Sequence, residues 1–480
     1  MEKKKKKFRL MDAILGTVCL TLVCESVMPT AAIGNTQYFW WIFLLVCFCL
    51  PYGMISAELG TTYPSEGGMY DWVKRAFGPK WAGRVAWNYW VNFPLWIASL
   101  AVAVTDIIAG MCNIELSVVS LLILQLIYVW VVTLLSTQRI GESKYIVNLG
   151  TFFKVLLLLG IGGLGIYSVI KTGQSANPIT SFKDLLPDLS LNIDTGLPFI
   201  SIILFNFMGF EVVGTWTDDM ENPKKDIPKA LLFGGLLMAI FYILPATGFN
   251  IALSPEVVGE MDPENVVEVL NNLFTAVGMN AALINTLVII AGCMFIYTFI
   301  ANIASWSFGV NEVAKYAAED GSMPKLFAKT NEEGVPHVAA YINGIVASVI
   351  VILGIIANAI SEDFGAGFSL FFCLSWITLL VGYIPMFLAF LKLRKTDPNA
   401  NRPYQVPVKG FMEKVCAIVP FVILILGVLF TIFGDFSSEY FMDNIPLIAG
   451  VVLSFIIEEI LVARIKTKKP AKKEEAEEIL

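Results

Sequence analysis

Twelve apolar runs follow one another along this chain, and each is long enough to cross a bilayer. A membrane-spanning helix needs roughly 20 apolar residues. The runs predict helices at 12–33, 39–63, 83–112, 116–136, 144–171, 194–217, 228–253, 281–315, 338–360, 366–391, 414–433 and 442–464. Only 15% of the 480 residues are charged, whereas a soluble domain carries roughly 25%. The reading is an all-α integral membrane protein with 12 transmembrane helices, and too little chain remains for a sizeable soluble domain. The first run holds Glu25 and Pro29 and has no small-residue cleavage site, so it reads as a retained span rather than a signal peptide.

Positive charge sets the expected orientation. With the N-terminus inside, the inner segments carry 30 of the 33 Lys and Arg residues. Lys171 and Lys183 fall outside, and Lys154 lies within a span. A multi-pass protein of the cell membrane is expected, with both termini cytoplasmic. Residues 1–11 form a basic cytoplasmic N-terminus, with Lys3 to Lys7 serving as an orientation signal rather than a nucleic-acid patch. Residues 465–480 form a mixed-charge cytoplasmic tail.

Several classes of function are excluded. No Cys-x-x-Cys pair is present, and the eight cysteines sit in or beside apolar runs, which argues against disulfides and against a metal site. The single histidine, His337, falls in a loop, so a His pair or triad is impossible. There is no nucleophile elbow and no Walker motif, hence neither an enzyme nor an ATP-driven pump is expected. No cofactor is called for. The oligomeric state is left open.

Two spans contain signals that lipid should forbid. Span 1 carries Cys24-Glu25-Ser26 and Pro29, and span 6 carries Asn206-Phe207-Met208-Gly209-Phe210-Glu211. Proline removes a backbone donor and clashes with the preceding turn. Irregular backbone at membrane depth survives only where protein or a water-filled cavity surrounds it. Spans 1 and 6 occupy matching places if spans 1–5 and 6–10 are two halves of an inverted repeat. Interrupted helices at such places point to a transporter's midplane binding site.

Three loops carry a resemblance. Ala57-Glu58-Leu59 followed by Tyr63-Pro64-Ser65-Glu66-Gly67-Gly68 resembles the second span and following re-entrant loop of the amino acid–polyamine–organocation transporter superfamily. Glu221-Asn222-Pro223-Lys224-Lys225-Asp226-Ile227-Pro228-Lys229-Ala230 resembles its loop after span 6. Glu319-Asp320-Gly321-Ser322-Met323-Pro324-Lys325, then Gly334-Val335-Pro336, resembles its loop after span 8. Phe207-Met208-Gly209-Phe210-Glu211 is similar to the glutamate/4-aminobutyrate antiporter branch. The resemblance covers nearly the whole chain. It implies a five-plus-five inverted repeat with broken helices 1 and 6, the halves being 12–171 and 194–391, and two added helices at 414–464. It also implies alternating access without ATP.

One departure from the family bears on the substrate. Members that carry amino acids have a Gly-Ser-Gly stretch in the span 1 break, whose bare amides bind the α-carboxylate. Here Cys24-Glu25-Ser26 stands there. A buried anion repels a substrate carboxylate and favours an ammonium. The expected function is therefore sodium-independent exchange of a cationic amine or polyamine, of the agmatine or putrescine kind. An amino acid antiporter of the glutamate/4-aminobutyrate type is the alternative. Expected substrate contacts are Cys24, Glu25, Ser26, Asn206, Met208, Gly209 and Glu211, with protons as a further partner of the carboxylates. Lys154, in Gly150-Thr151-Phe152-Phe153-Lys154, resembles the family's span 5 lysine, whose ammonium replaces a sodium ion. Trp216, Trp306 and Trp376 are candidate gates. Glu58 reads as structural or gating and Asp106 is left open, whereas Tyr297, Asn302, Ser375 and Tyr383 read mainly as contacts between helices.

Overall fold

Proline and glycine dictate where the helices of this protein bend and stop, as seen in a computed structural model. It describes residues 10, 14, 21–65, 67–138, 144–187, 199–209, 222–261, 265–360, 367–434, 441 and 444–465. A 3-10 segment, Glu25–Thr36, leads into α1 (Gln37–Leu44), a π turn at Leu45–Cys49, and α2 (Leu50–Thr62). The π turn precedes Pro51, which has no amide to donate, and its wider winding takes up the mismatch. There follow α3 (Met69–Phe77), α4 (Pro79–Cys112), α5 (Val118–Ser136), α6 (Lys144–Thr172) and α7 (Phe199–Asn206). The second half continues with α8 (Pro223–Ala252), α9 (Pro255–Glu260), α10 (Val266–Ala276), α11 (Ala281–Glu319), α12 (His337–Ile360) and α13 (Phe368–Thr396). Helices α14 (Phe411–Phe433) and α15 (Ile445–Ala463) close the bundle.

Ten helices among the described residues are long and apolar enough to cross a membrane, and they correspond to spans 2–5 and 7–12. Spans 1 and 6 are the two remaining members of the expected twelve. Their described parts are interrupted, and 12–13, 15–20, 194–198 and 210–217 lie outside the described residues. Boundaries move by a few residues from expectation: α4 begins at Pro79 rather than 83, and α11 runs on to Glu319 rather than 315. His337 opens α12 instead of lying in a loop. The short helix α10 has no counterpart among the expected spans.

The packing fits an inverted repeat. Four spans of the first half touch the span five places later: the 3-10 segment packs on α7, α2 on α8, α4 on α11, and α5 on α12. Cross-pairs map onto each other as well, α4 with α13 answering α11 with α6. Small residues allow the closest approach. A Cβ on Gly165 of α6 would overlap the Gly248 carbonyl of α8, so these two backbones touch directly. Helix α13 is the most enclosed span, and α5 and α15 are among the least. The added pair packs on the outside of the repeat, α14 against α13 and α7, and α15 against α4 and α13.

Candidate functional site: two interrupted helices

The first break lies at Leu22 and Val23, where the chain leaves helical geometry before the 3-10 segment starts. Tyr242 of α8 closes it from the side. Its hydroxyl accepts from Val23 N at 2.9 Å and donates to Thr21 O at 2.9 Å. One phenol thus satisfies two backbone groups that the break frees. Ser26 Oγ donates to Val23 O at 2.7 Å and also meets Asn206 Oδ1 at the end of α7, which couples the two breaks. Asn206 Nδ2 is buried without a hydrogen-bond partner.

The second break follows α7. Phe207 N and Met208 N bond back to Leu204 O and Phe205 O at 3.0 Å, and the chain then turns at Gly209 with φ of +97°. A side chain is excluded there twice over. The backbone is left-handed, and a Cβ would lie 2.5 Å from Trp306 Cζ2. The Trp306 indole of α11 therefore packs directly on the break.

Between the two breaks lies a cavity of about 10 Å³. Thr21 and Val23 line it from the first break, Phe205 and Met208 from the second, Asn92 and Trp96 from α4, Trp306 from α11, and Leu379 from α13. Trp306 meets Trp96 edge-on at 6.0 Å, and Trp96 meets Phe205 at 6.3 Å. Aromatic contacts continue on both sides, through Phe205, Phe372 and Trp376 in one direction and through Trp306, Tyr89, Tyr383 and Tyr52 in the other. The space holds about one water. Any larger solute must displace side chains such as Trp306 and Met208.

The structure divides the expected site residues into groups. Met208 and Trp306 line the cavity, Gly209 packs under Trp306, and Ser26 and Asn206 meet beside it. Cys24 is buried. Glu25 is buried too, with Oε1 lacking any hydrogen-bond partner, but it does not line the cavity. Its carboxylate feels the Lys154 ammonium. Lys154 is 1% exposed and donates to Asn302 Oδ1 of α11 at 2.9 Å, so it does not reach for the membrane surface. Trp376 stands one aromatic ring removed from the lining, against Phe372. Glu211 and Trp216 lie outside the described residues. Ser375 joins helices, donating to Asn92 O at 3.0 Å, while Asp106 is exposed on α4.

Asn92, Trp96 and Tyr242 are the residues that sequence reasoning missed. One signal was available for two of them: Asn88, Asn92 and Trp96 recur every four residues along α4 and share one face in its mainly apolar middle stretch.

Two broken spans around a closed cavity, in a bundle that is helical throughout the described residues, define a solute carrier of the alternating-access class. The chain matches the family model for amino acid permeases over residues 8–453 and belongs to that family. It is 41% identical over 470 residues to a protein of Lactococcus lactis named "probable agmatine/putrescine antiporter AguD", with 97% of this chain and 96% of that one covered. It is 27% identical to a "probable polyamine transporter" of Arabidopsis thaliana, over 79% of this chain and 69% of that one. Among solved structures, a mutant of the manganese transporter of Eremococcus coleocola superposes with a TM-score of 0.51. That match covers 94% of this chain and 96% of the other at 10% identity, and it speaks for the fold alone. These relatives are permeases and transporters, not enzymes.

Proposed function

We propose that the protein exchanges cationic amines of the agmatine and putrescine class across the cell membrane, without sodium and with both termini on the cytoplasmic side. The observation that carries this is the Glu25 carboxylate, buried in the broken span with a bare oxygen. A buried carboxylate is tolerable only with a cationic partner or a proton. An amine entering between the breaks supplies the partner, whereas an α-carboxylate at the same place would be repelled. The 41% identity to a protein named for agmatine and putrescine supports the same class.

Exchange follows from the same charge. Lys154 is hydrogen-bonded to Asn302 and its charge acts on Glu25, and an amine brings the N–H donor that the bare Glu25 oxygen lacks. Returning across the membrane with Glu25 unmatched is costly, and return with a second amine is not. The ammonium of Lys154 stands where the resemblance places a sodium ion, which makes transport indifferent to sodium. Protons compete with the amine for Glu25 and for Glu211, so apparent affinity weakens as pH falls.

The test is uptake of labelled putrescine, agmatine, tyramine, glutamate and alanine into proteoliposomes, with and without putrescine inside, in sodium or choline. Uptake of diamines that requires internal amine and ignores sodium is expected. Uptake of glutamate in their place would move the assignment to the amino acid antiporter reading.

A further inference from the structure

At the end of the bundle opposite Glu58, the 3-10 segment meets α1 at Gly34, whose φ is 55°. Three amide side chains surround this turn. Gln37 Nε2 donates to Gly34 O at 2.9 Å. Asn250 Nδ2, near the end of α8, donates to Asn35 Oδ1 at 2.7 Å and to the Tyr38 hydroxyl at 3.3 Å. Asn177 Nδ2 donates to the Asn250 and Leu253 carbonyls at 2.6 and 2.8 Å and fixes the end of α8.

These bonds use the donors and leave acceptors over. Gln37 Oε1 and Asn250 Oδ1 have no donor, although the two residues are 0% and 2% exposed. Asn250 Oδ1 borders open room at this turn, because a Cβ built on Gly34 would meet nothing nearer than that oxygen at 3.9 Å. A buried bare acceptor is unfavourable, and two at one turn amount to a surplus of oxygen lone pairs. Oxygen acceptors without donors suit a monovalent cationic group, and an ammonium brings the N–H groups they lack.

We propose that Gln37, Asn250 and the Gly34 turn form an outer cation site, which holds the ammonium of an amine before it reaches the cavity between the breaks. The ligating atoms are neutral, so the site holds the cation loosely and yields it to the carboxylate of Glu25. The identity of the cation rests on the amine-exchange reading, and the site itself does not. An inorganic monovalent cation has the same charge, and the experiment separates the two.

The experiment measures KM and maximal rate for putrescine exchange in proteoliposomes for the wild type, Gln37→Leu and Asn250→Asp. Gln37→Leu should raise KM about threefold to fivefold, the weight of one neutral hydrogen bond, at unchanged maximal rate. Asn250→Asp adds a charge at the same place and should lower KM. Opposite signs are not expected from two merely structural lesions. KM values within twofold of wild type for both variants, or shifts in the same direction, would overturn the proposal. Potassium in place of choline should leave the wild-type KM unchanged if the site takes the amine, and should raise it if the site takes an inorganic cation. A second readout is independent of transport: ammonium chloride against choline chloride should raise the thermal midpoint of wild type more than that of Gln37→Leu. Equal shifts would also overturn the site. Absence of putrescine exchange in the wild type, with the ammonium effect present, would sink the amine reading and spare the site.

Discussion

Gly209 is the residue on which the second break depends. Its φ of +97° and the Trp306 ring, 2.5 Å from where a Cβ would sit, are two separate obstacles to any side chain. Gly209→Ala should cost about 1–3 kcal/mol in backbone strain alone, with further loss from the clash. Trp306→Leu in the same chain should recover the clash and leave the strain. Thermal unfolding of both single variants and the double variant checks this, and strictly additive losses would show that the contact carries no energy. Glu25→Gln is the matching test at the first break. It keeps size and removes charge, and diamine affinity should fall at least about tenfold if an ion pair in apolar surroundings is lost. Affinity near the wild-type value would place the ammonium elsewhere. Both residues were visible in the sequence, because glycine, proline and carboxylate are each out of place in an apolar helix. Asn92 and Trp96 were not singled out, since a polar and aromatic face on one helix looks the same whether it meets a neighbour or a cavity. Only the packing of α4 against both breaks decides between the two.

Among the elements, the ten uninterrupted spans were legible to within a few residues, because length and hydropathy settle them without tertiary help. The shape of the interruptions was not. Nothing in Glu25–Thr36 announces a 3-10 segment, and nothing before Pro51 announces a π turn, since both depend on what α8 and neighbouring helices hold in place. The pairing of α6 with α11 through Lys154 and Asn302 is a consequence that can be tested. Asn302→Leu removes an acceptor from a buried ammonium and should cost about 1.5–3 kcal/mol, the weight of a charged hydrogen bond. Adding Lys154→Met removes the buried charge whose acceptor was lost, so the double variant should be more stable than Asn302→Leu alone. A double variant less stable than either single would mean that Lys154 contributes mainly through other contacts. The loop of Thr180 to Asp184 offers a test outside the membrane. Asp184 accepts from Thr180 N and Ser181 N at 2.8 and 2.9 Å, and these bonds pull its carboxyl from 3.8 down to about 2. A depressed carboxyl contributes above its unfolded value and loses that contribution as pH falls through 3.8 toward 2. Amide exchange at Thr180 and Ser181 should therefore be flat between pH 7 and about 5, after correction for intrinsic rates, and Asp184→Asn should speed it throughout.

Across the whole molecule, the two ends of the cavity are held by different chemistry. At the end of the bundle opposite the Gly34 turn, Glu58 of α2 accepts from Arg394 Nε and Nη2 of α13 at 2.8 and 2.5 Å. It also accepts from Val406 N at 2.7 Å, with Arg402 Nε at 3.4 Å. Arg394 reaches on to Glu413 of α14 at 2.7 Å. A second tie joins α3 to the end of α11, where Asp320 takes the Tyr70 hydroxyl and the Lys74 ammonium, each at 2.5 Å. Opening toward this side must either break these ties or carry the joined helices as one body. The first tie is buried and bidentate, so breaking it is expensive, and α2, α13 and the start of α14 should move together. Glu58→Gln leaves Arg394 with Glu413 as its only carboxylate partner in the tie and should lower the thermal midpoint while allowing amine to leave liposomes that hold no counter-amine. Arg394→Lys should not restore wild-type behaviour, since an ammonium cannot reproduce the forked contact. The tie at Asp320 should be indifferent to pH in the working range, because burial and the bond to Asp320 push the Tyr70 hydroxyl upward and keep it a donor. The measurement is net efflux against exchange, taken at several pH values for wild type, Glu58→Gln and Tyr70→Phe. A pH dependence that survives in all three belongs to the carboxylates beside the breaks. One that disappears in Tyr70→Phe would show that the tie at Asp320, rather than the cavity, senses the proton.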